Sequence, residues 1–284
     1  MSTITRLTVE EVAAAVAGLP PMPSSVAEVV AACDDPAMTV GALTQAVLRD
    51  QGLTAAILKL ANSSFYGHRR RVTTASEAVV LLGFSAVKSL AVSSHGSRVM
   101  SAPLPAYGLS RGELWRHSLA VAFAARRLAV EVQLAPVEQA FVAGLLHDIG
   151  KTVLAGHMEH AFEEVSRTAE EHGLPVHEVE RRLLGFDHAE LGARIGASWG
   201  FPPELEEAIR HHHSPGLARL EPRLSHCVHV ADAGCMMLGV GLGAGAVPGA
   251  IDPGSAEALG LGAGRLAALM EEIEPMLADV GGVL

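Results

Sequence analysis

The chain has 284 residues, 49% of them hydrophobic but only 4% aromatic, and Lys+Arg 21 against Asp+Glu 31 give a formal charge of −10. A chain of this length forms one large domain or two modest ones and buries about 75% of its unfolded surface, so it needs no covalent staples. The acidic balance and the presence of only three lysines (Lys59, Lys88, Lys151) argue against general nucleic-acid binding and against an anionic membrane partner. Cys33, Cys227 and Cys235 are too scattered for a disulfide framework or a thiolate zinc site.

The N-terminus lacks the basic and apolar regions of a secretory signal, and the expected location is cytoplasmic. Thr8 with Glu11 has the capping-box spacing and opens a helix that stops at Gly18-Leu-Pro-Pro. Helical stretches follow over 24–33, 39–49 and 53–61. Thr74 with Glu77 signs another start; Gly83 breaks that helix before a second begins at Ser85. Ser110 with Glu113 starts the next, with Leu114, Ser118, Val121, Ala125 and Leu128 as its apolar stripe. Pro136 suits the first position of a helix reaching Gly150. Asp187 with Glu190 caps a helix that ends at Gly200 and Pro202. Residues 233–251 form the longest uncharged run, 19 residues, but its six glycines and Pro248 mark a loop rather than a membrane span. A last helix falls near 264–279. No alternating strand pattern of useful length occurs, so the expected fold is all-α.

Histidine is unevenly distributed. Of 14 histidines, 12 lie between His117 and His229. The chain therefore divides into a helical part without obvious chemistry (1–105), a histidine-rich helical part (106–238), and a Gly-rich connection with a terminal helix (239–284).

The chemistry centres on Leu145-Leu-His147-Asp148-Ile-Gly150-Lys151. Adjacent helical residues point about 100° apart, so His147 and Asp148 can lean toward one ion from the same wall. Lys151 shares their face and could hold an anionic oxygen beside it. His117 has Glu113 one turn before it, although Glu113 is equally a capping partner for Ser110. His188 opens the Asp187-capped helix. Leu205, Ala208, Ile209 and His212 share a stripe, and His213 follows Ile209 at i+4, so His212 and His213 face inward while His211 faces water. Asp232 is a carboxylate on an apolar face, which needs a partner; a metal is a good one. Each histidine taken singly is also compatible with a hydrogen-bonded core or helix-end residue.

The order His117, His147-Asp148, His188, His212-His213, Asp232 resembles the ligand series of HD-superfamily metal-dependent phosphohydrolases, and Glu113 and Lys151 match the pattern of its HD-GYP branch. Leu19-Pro-Pro-Met-Pro23, Leu60-Ala-Asn-Ser-Ser-Phe-Tyr-Gly67, Ala78-Val-Val-Leu-Leu-Gly83, Leu114-Trp-Arg-His117 and Ile209-Arg-His-His-His213 narrow the resemblance to HDOD, the HD-related output domain of bacterial signalling proteins, over about residues 15–240. After His213 the chain runs Ser-Pro-Gly and has no Gly-Tyr-Pro loop.

The resemblance implies an HD-like helical bundle with an N-terminal HDOD module, and a regulatory protein that acts by binding a signalling partner. It implies an HD-type site of His117, His147, Asp148, His188, His212, His213 and Asp232, with Glu113 as a further ligand candidate. The alternative it carries is a metal-dependent phosphohydrolase or phosphodiesterase acting on a nucleotide or cyclic dinucleotide, with Asp148 and Lys151 in catalytic roles. Nitrogen-rich ligation of this kind suits Fe, Mn, Zn or Ni, as one ion or two, better than Mg. Phe65, Tyr66, Arg69, Arg70 and Arg71 join an aromatic pair to a basic run and are the candidate partner surface, the competing reading being core anchors and a solvated loop.

Overall fold

The structure is a computed structural model that describes residues 6–62, 71–158, 162–240 and 251–278. Among them it is all-helical, as expected, with α1 (Val9–Ala17), α2 (Ser24–Asp34), α3 (Val40–Leu48), α4 (Gln51–Ala61), α5 (Ala75–Met100), α6 (Glu113–Glu131), α7 (Val137–Leu146), α8 (Lys151–Met158), α9 (Phe162–His172), α10 (Val176–Leu184), α11 (His188–Ser198), α12 (Pro203–Arg210), α13 (Pro222–Met237), α14 (Pro253–Ala258) and α15 (Ala263–Ala278). The chain falls into two compact units, one running to Pro20 and again over Val99–Ile273, the other over Pro21–Arg98 and from Glu274 onward.

In the second unit, α2 to α5 bury Val29, Leu43, Leu53, Ile57 and Val87 completely. Side-chain caps set the helix starts: Thr39 accepts the Ala42 N–H at 3.2 Å, and Asp50 accepts the Leu53 N–H at 2.9 Å and the Ser25 hydroxyl at 3.0 Å. Asn62 closes a loop on itself, its amide donating to the Val72 carbonyl at 2.8 Å and its oxygen accepting the Val72 N–H at 2.8 Å. This gives the Leu60-Ala-Asn motif a turn-shaping role. α5 has the length and apolarity of a membrane span, but half of its most apolar window is buried and it is broken at Gly83. There φ is +77°, a region open to glycine and costly for other residues.

The first unit carries the histidines. α6 packs along α7 and α13, and α12 packs on α11, α7 and α13. Small residues make the approach close: Ala120, Ala124, Ala125 and Ala140 are all buried. Phe123 and Phe141 meet edge to face with centroids 5.3 Å apart. α15 is clamped to α6 by Arg265 on Glu131 (2.7 and 2.8 Å) and by Arg127 on Glu272 (2.7 Å). The capping box predicted at Thr8 and Glu11 is present in both directions, and Asp187 accepts the Glu190 N–H at 2.8 Å.

Three expectations change at their boundaries. The helix expected to run to Gly150 stops at Leu146, and residues 147–150 form tighter i→i+3 turns, Ile149 N–H to Leu146 O and Lys151 N–H to Asp148 O, both 3.0 Å. The turn brings its backbone against α11, where a Cβ on Gly150 would sit 2.0 Å from the His188 carbonyl oxygen and 2.7 Å from the Gly192 nitrogen. Residues 233–237 of the expected loop continue α13, because Ala233 and Cys235 are buried in the core. The expected Gly-rich connection includes α14, started by the Asp252 side chain on the Gly254 N–H at 2.8 Å.

Backbone against backbone leaves no side chain to yield at Gly150. Gly150→Ala is expected to destabilise the protein by at least about 2 kcal/mol, toward the upper end of overpacking costs, measured by denaturant unfolding. Wild-type stability in that variant would mean the turn and α11 are not in this contact.

Candidate metal centre

Four histidines are aimed by what their Nδ1 atoms hold. His117 on α6 donates from Nδ1 to the Val240 carbonyl (3.1 Å), His147 at the end of α7 to the Gly144 carbonyl (2.7 Å), and His212 after α12 to the Ile209 carbonyl (2.7 Å). His188, the first residue of α11, instead donates from Nδ1 to the Glu180 carboxylate at 2.7 Å. With Nδ1 committed to an acceptor, Nε2 is the nitrogen each ring has left for the centre, the atom through which such a histidine ligates a metal once deprotonated.

The Nε2 atoms converge on two carboxylates. His117 Nε2 is 3.1 Å from Asp232 Oδ1 and 3.7 Å from Asp148 Oδ2. His147 Nε2 is 3.4 Å from Asp148 Oδ2 and 3.6 Å from Asp232 Oδ1. On the other side of Asp148, His188 Nε2 is 3.1 Å and His212 Nε2 4.0 Å from Oδ1. His213 Nε2 approaches His188 Nε2 to 2.9 Å, and its ring stacks on His177 with centroids 4.0 Å apart. Lys151 Nζ donates to Asp148 Oδ2 at 2.6 Å and lies 5.7 Å from the centre of the Tyr107 ring.

The donor set fits a metal ion. Three overlapping groups (His117, His147 and Asp148; His147, His212 and Asp232; His188, His212 and His213) each bring their ligand atoms within 4.8 Å of one another. Four of these atoms, His147 Nε2, His212 Nε2, Asp148 Oδ1 and Asp232 Oδ1, are buried and have no well-aligned hydrogen-bond partner among the described residues. Buried polar atoms without partners are rare and costly, and four around one cage is the pattern a cation would satisfy.

The electrostatics are strongly coupled. Burial pushes the Asp148 carboxyl up, yet Lys151 and His147 hold it well below the usual carboxylate range. Asp232 is likewise held low against burial by His117 and His147. Burial drives the His147 imidazole down, and Asp148 with Asp232 overcomes this, raising it to about 10. His188 is raised to about 9 by Glu180 and Asp148 against burial and the nearby Lys151. His212 and His213 fall well below the usual value, through burial first and then through neighbouring imidazoles. The three acids (Asp148, Asp232, Glu180) thus face three cations (His147, His188, Lys151), while His212 and His213 keep free lone pairs.

The structure brings together seven of the residues singled out as ligands, His117, His147, Asp148, His188, His212, His213 and Asp232, with Lys151 beside them. Glu113 is turned elsewhere, its carboxylate accepting the Ser110 N–H at 2.6 Å. Phe65, Tyr66, Arg69 and Arg70 lie outside the described residues; Arg71 is exposed. Sequence reasoning missed Glu180, which is completely buried and accepts the His188 N–H (2.9 Å) as well as its ring, and Tyr107, whose hydroxyl donates to Glu180 at 2.7 Å. It also missed His177 beneath His213. The available signal for Glu180 was its helical spacing, four residues from both Val176 and Leu184, a carboxylate between apolar neighbours on one face as Asp232 is.

The HDOD domain family model matches residues 19–215. An uncharacterized protein of Treponema pallidum is 26% identical over 197 residues, 69% of this chain and 38% of that protein. The chain thus spans less than two fifths of that relative. An HDOD domain protein of unknown function from Geobacter sulfurreducens superposes with TM-score 0.77 at 23% identity, covering 97% of both chains. A candidate signal transduction protein from Marinobacter aquaeolei superposes with TM-score 0.75 at 25% identity, covering 96% of this chain and 64% of its own.

In the metal-free protein, His147 has a pKa raised above its ordinary value of 6.5, so its stabilisation is full below about 6.5 and is lost as pH rises through about 10. Asp232→Asn removes one of its two anionic partners, and the His147 titration followed by imidazole NMR is expected to move down from about 10. An unmoved titration would show that Asp232 does not act on His147.

Proposed function

This chain belongs to the HDOD domain family, and from that premise we propose that it is a regulatory protein of bacterial signal transduction, acting by binding a partner protein, with its His/Asp cage serving as a structural or sensing metal site. The observation that carries this reading is closure. The side chains of His117, His147, Asp148, His188, His212 and Asp232 are between 0% and 10% exposed, and of the seven ligand candidates His213 is the one that is only half-buried. Structural metal sites are enclosed by protein ligands, whereas catalytic ones keep a position open for water or substrate.

Fe, Mn, Zn or Ni would be held by His117, His147, Asp148, His188, His212, His213 and Asp232. When bound, such an ion supplies positive charge to two buried carboxylates and Lewis acidity toward any oxygen that reaches it. The residues then tie α6, α11, α13 and the ends of α7 and α12 to one point. The partner surface is placed at Phe65, Tyr66, Arg69, Arg70 and Arg71, because aromatics and arginine together favour interface anchoring.

One observation favours a second reading, a metal-dependent phosphohydrolase or phosphodiesterase acting on a nucleotide or cyclic dinucleotide. Lys151 is 19% exposed and reaches Asp148 at 2.6 Å, a cation at the rim where a phosphoryl oxygen could be held.

Elemental analysis of the purified protein, run with a screen of phosphodiester and cyclic dinucleotide substrates, separates the two. Bound transition metal without turnover is expected; turnover abolished in Lys151→Ala would establish the second reading. Asp148→Ala should lower metal affinity by more than about 100-fold, beyond the cost of losing an outer partner, and full retention would place the metal elsewhere. Changing Arg69, Arg70 and Arg71 to Ala should leave metal content and helicity intact while weakening capture of the partner. Loss of the cellular phenotype in the Asp148 variant alone, with the arginine variant behaving as wild type, would refute the partner surface.

A further inference from the structure

His188 differs from the other aimed histidines in what it leans on. His117, His147 and His212 hand their Nδ1 protons to neutral backbone carbonyls, whereas His188 hands its own to a carboxylate. That carboxylate, Glu180, is completely buried on α10, and both of its oxygens accept hydrogen bonds. Its Oε2 accepts both the backbone N–H (2.9 Å) and the ring Nδ1–H (2.7 Å) of His188, and its Oε1 accepts the Tyr107 hydroxyl at 2.7 Å. Tyr107 is itself 8% exposed and sits in the short Pro105–Tyr107 turn that precedes α6.

His188 also occupies the junction of the cage. Its Nε2 lies 3.1 Å from Asp148 Oδ1 and 2.9 Å from His213 Nε2, so it borders both the Asp148 side and the His213 side. A ligand at a junction must be held more tightly in angle than one at an edge, since a small rotation of the ring misses both neighbours. Two bonds from one carboxylate oxygen, one to the backbone and one to the ring, fix that angle; the phenol fixes the carboxylate.

A purely structural account would have Glu180 only anchor the start of α11 through the His188 N–H. That anchor needs one acceptor oxygen, which a neutral amide supplies equally well. Burying a full charge is the more expensive solution, and it gains something only if the charge acts on the ring.

We infer that Glu180, held in place by Tyr107, is a positioning residue that aims His188 and strengthens it as a ligand, so that this pair sets the metal affinity of the cage without touching the metal. The inference rests on the metal reading of the site given above. Carboxylate partners of ligating histidines characteristically change metal affinity by about 10–100-fold.

The test is a Co²⁺ titration of the metal-free 284-residue chain, followed by absorption and equilibrium dialysis, with thermal midpoints of the metal-free proteins measured in parallel. Glu180→Gln keeps both acceptor bonds to His188 and is expected to weaken Co²⁺ binding about 10–100-fold at a near-wild-type midpoint. Tyr107→Phe is expected to weaken it less, in the same direction. In a His188→Ala background, neither change should weaken binding further, because both act through His188. Wild-type affinity in Glu180→Gln, or an undiminished effect in the His188→Ala background, overturns the inference. If Glu180→Gln does not fold, the Tyr107→Phe and His188→Ala cycle decides by the same criterion. Failure of the wild-type protein to take up Co²⁺ would overturn the metal reading and this inference with it, an outcome distinct from the other two because those require a wild type that binds.

Discussion

Asp148 and Asp232 are taken out of water, and their charge has to be answered from within the protein. A carboxylate moved into a low-dielectric interior loses hydration worth several kcal/mol even after relaxation. The first unit is arranged around that requirement. Lys151 reaches back three residues to one oxygen of Asp148, His147 and His188 are held protonated in the metal-free state, and His117 stands 3.1 Å from Asp232. The helices deliver these groups by their ends as much as by their faces. His147 closes α7 and His212 follows α12, positions where a ring can reach a spare carbonyl and still point inward, while His188 opens α11 and leans on the Glu180 carboxylate instead.

The same requirement explains why the cage has so little freedom. Each aimed histidine spends one nitrogen on a fixed acceptor, so only the other is available to the centre. The ligand-type groups come from segments as far apart in the chain as α6 and α13, and anything that satisfies them together stabilises those segments together. A ligand at 100 times its dissociation constant adds about 2.7 kcal/mol of stability by mass action alone. On the regulatory reading proposed above, such a gain acts on shape rather than on chemistry.

Much of this was legible in the sequence. Caps at Thr8, Thr74 and Asp187 are local chemistry, and each appears where the spacing put it. The inward placement of His212 followed from its stripe with Leu205, Ala208 and Ile209, although the helix itself ends two residues earlier. Glu180 escaped notice because Glu178, Arg181 and Arg182 around it give α10 the look of a solvated face, and burial of a single acid among them depends on partners in other segments. Tyr107 stands in a three-residue turn, where there is no periodicity to read. The need for glycine at position 150 is non-local: the space its Cβ would fill is taken by α11, some 40 residues further along.

That last contact has a bearing on how such a sequence can change. At Gly150 the ligand-bearing turn meets α11 backbone to backbone, whereas a Cβ on Gly192 would first press the Ile209 side chain at 2.9 Å, so it is at Gly150 that main chain gauges the separation of His147 and Asp148 from His188. The surrounding core of Ala, Val and Leu can then exchange one aliphatic residue for another without altering that separation, because volume-conserving swaps are cheap. One position without a β-carbon acts as a ruler for the centre, and the aliphatic interior away from it has more freedom to drift.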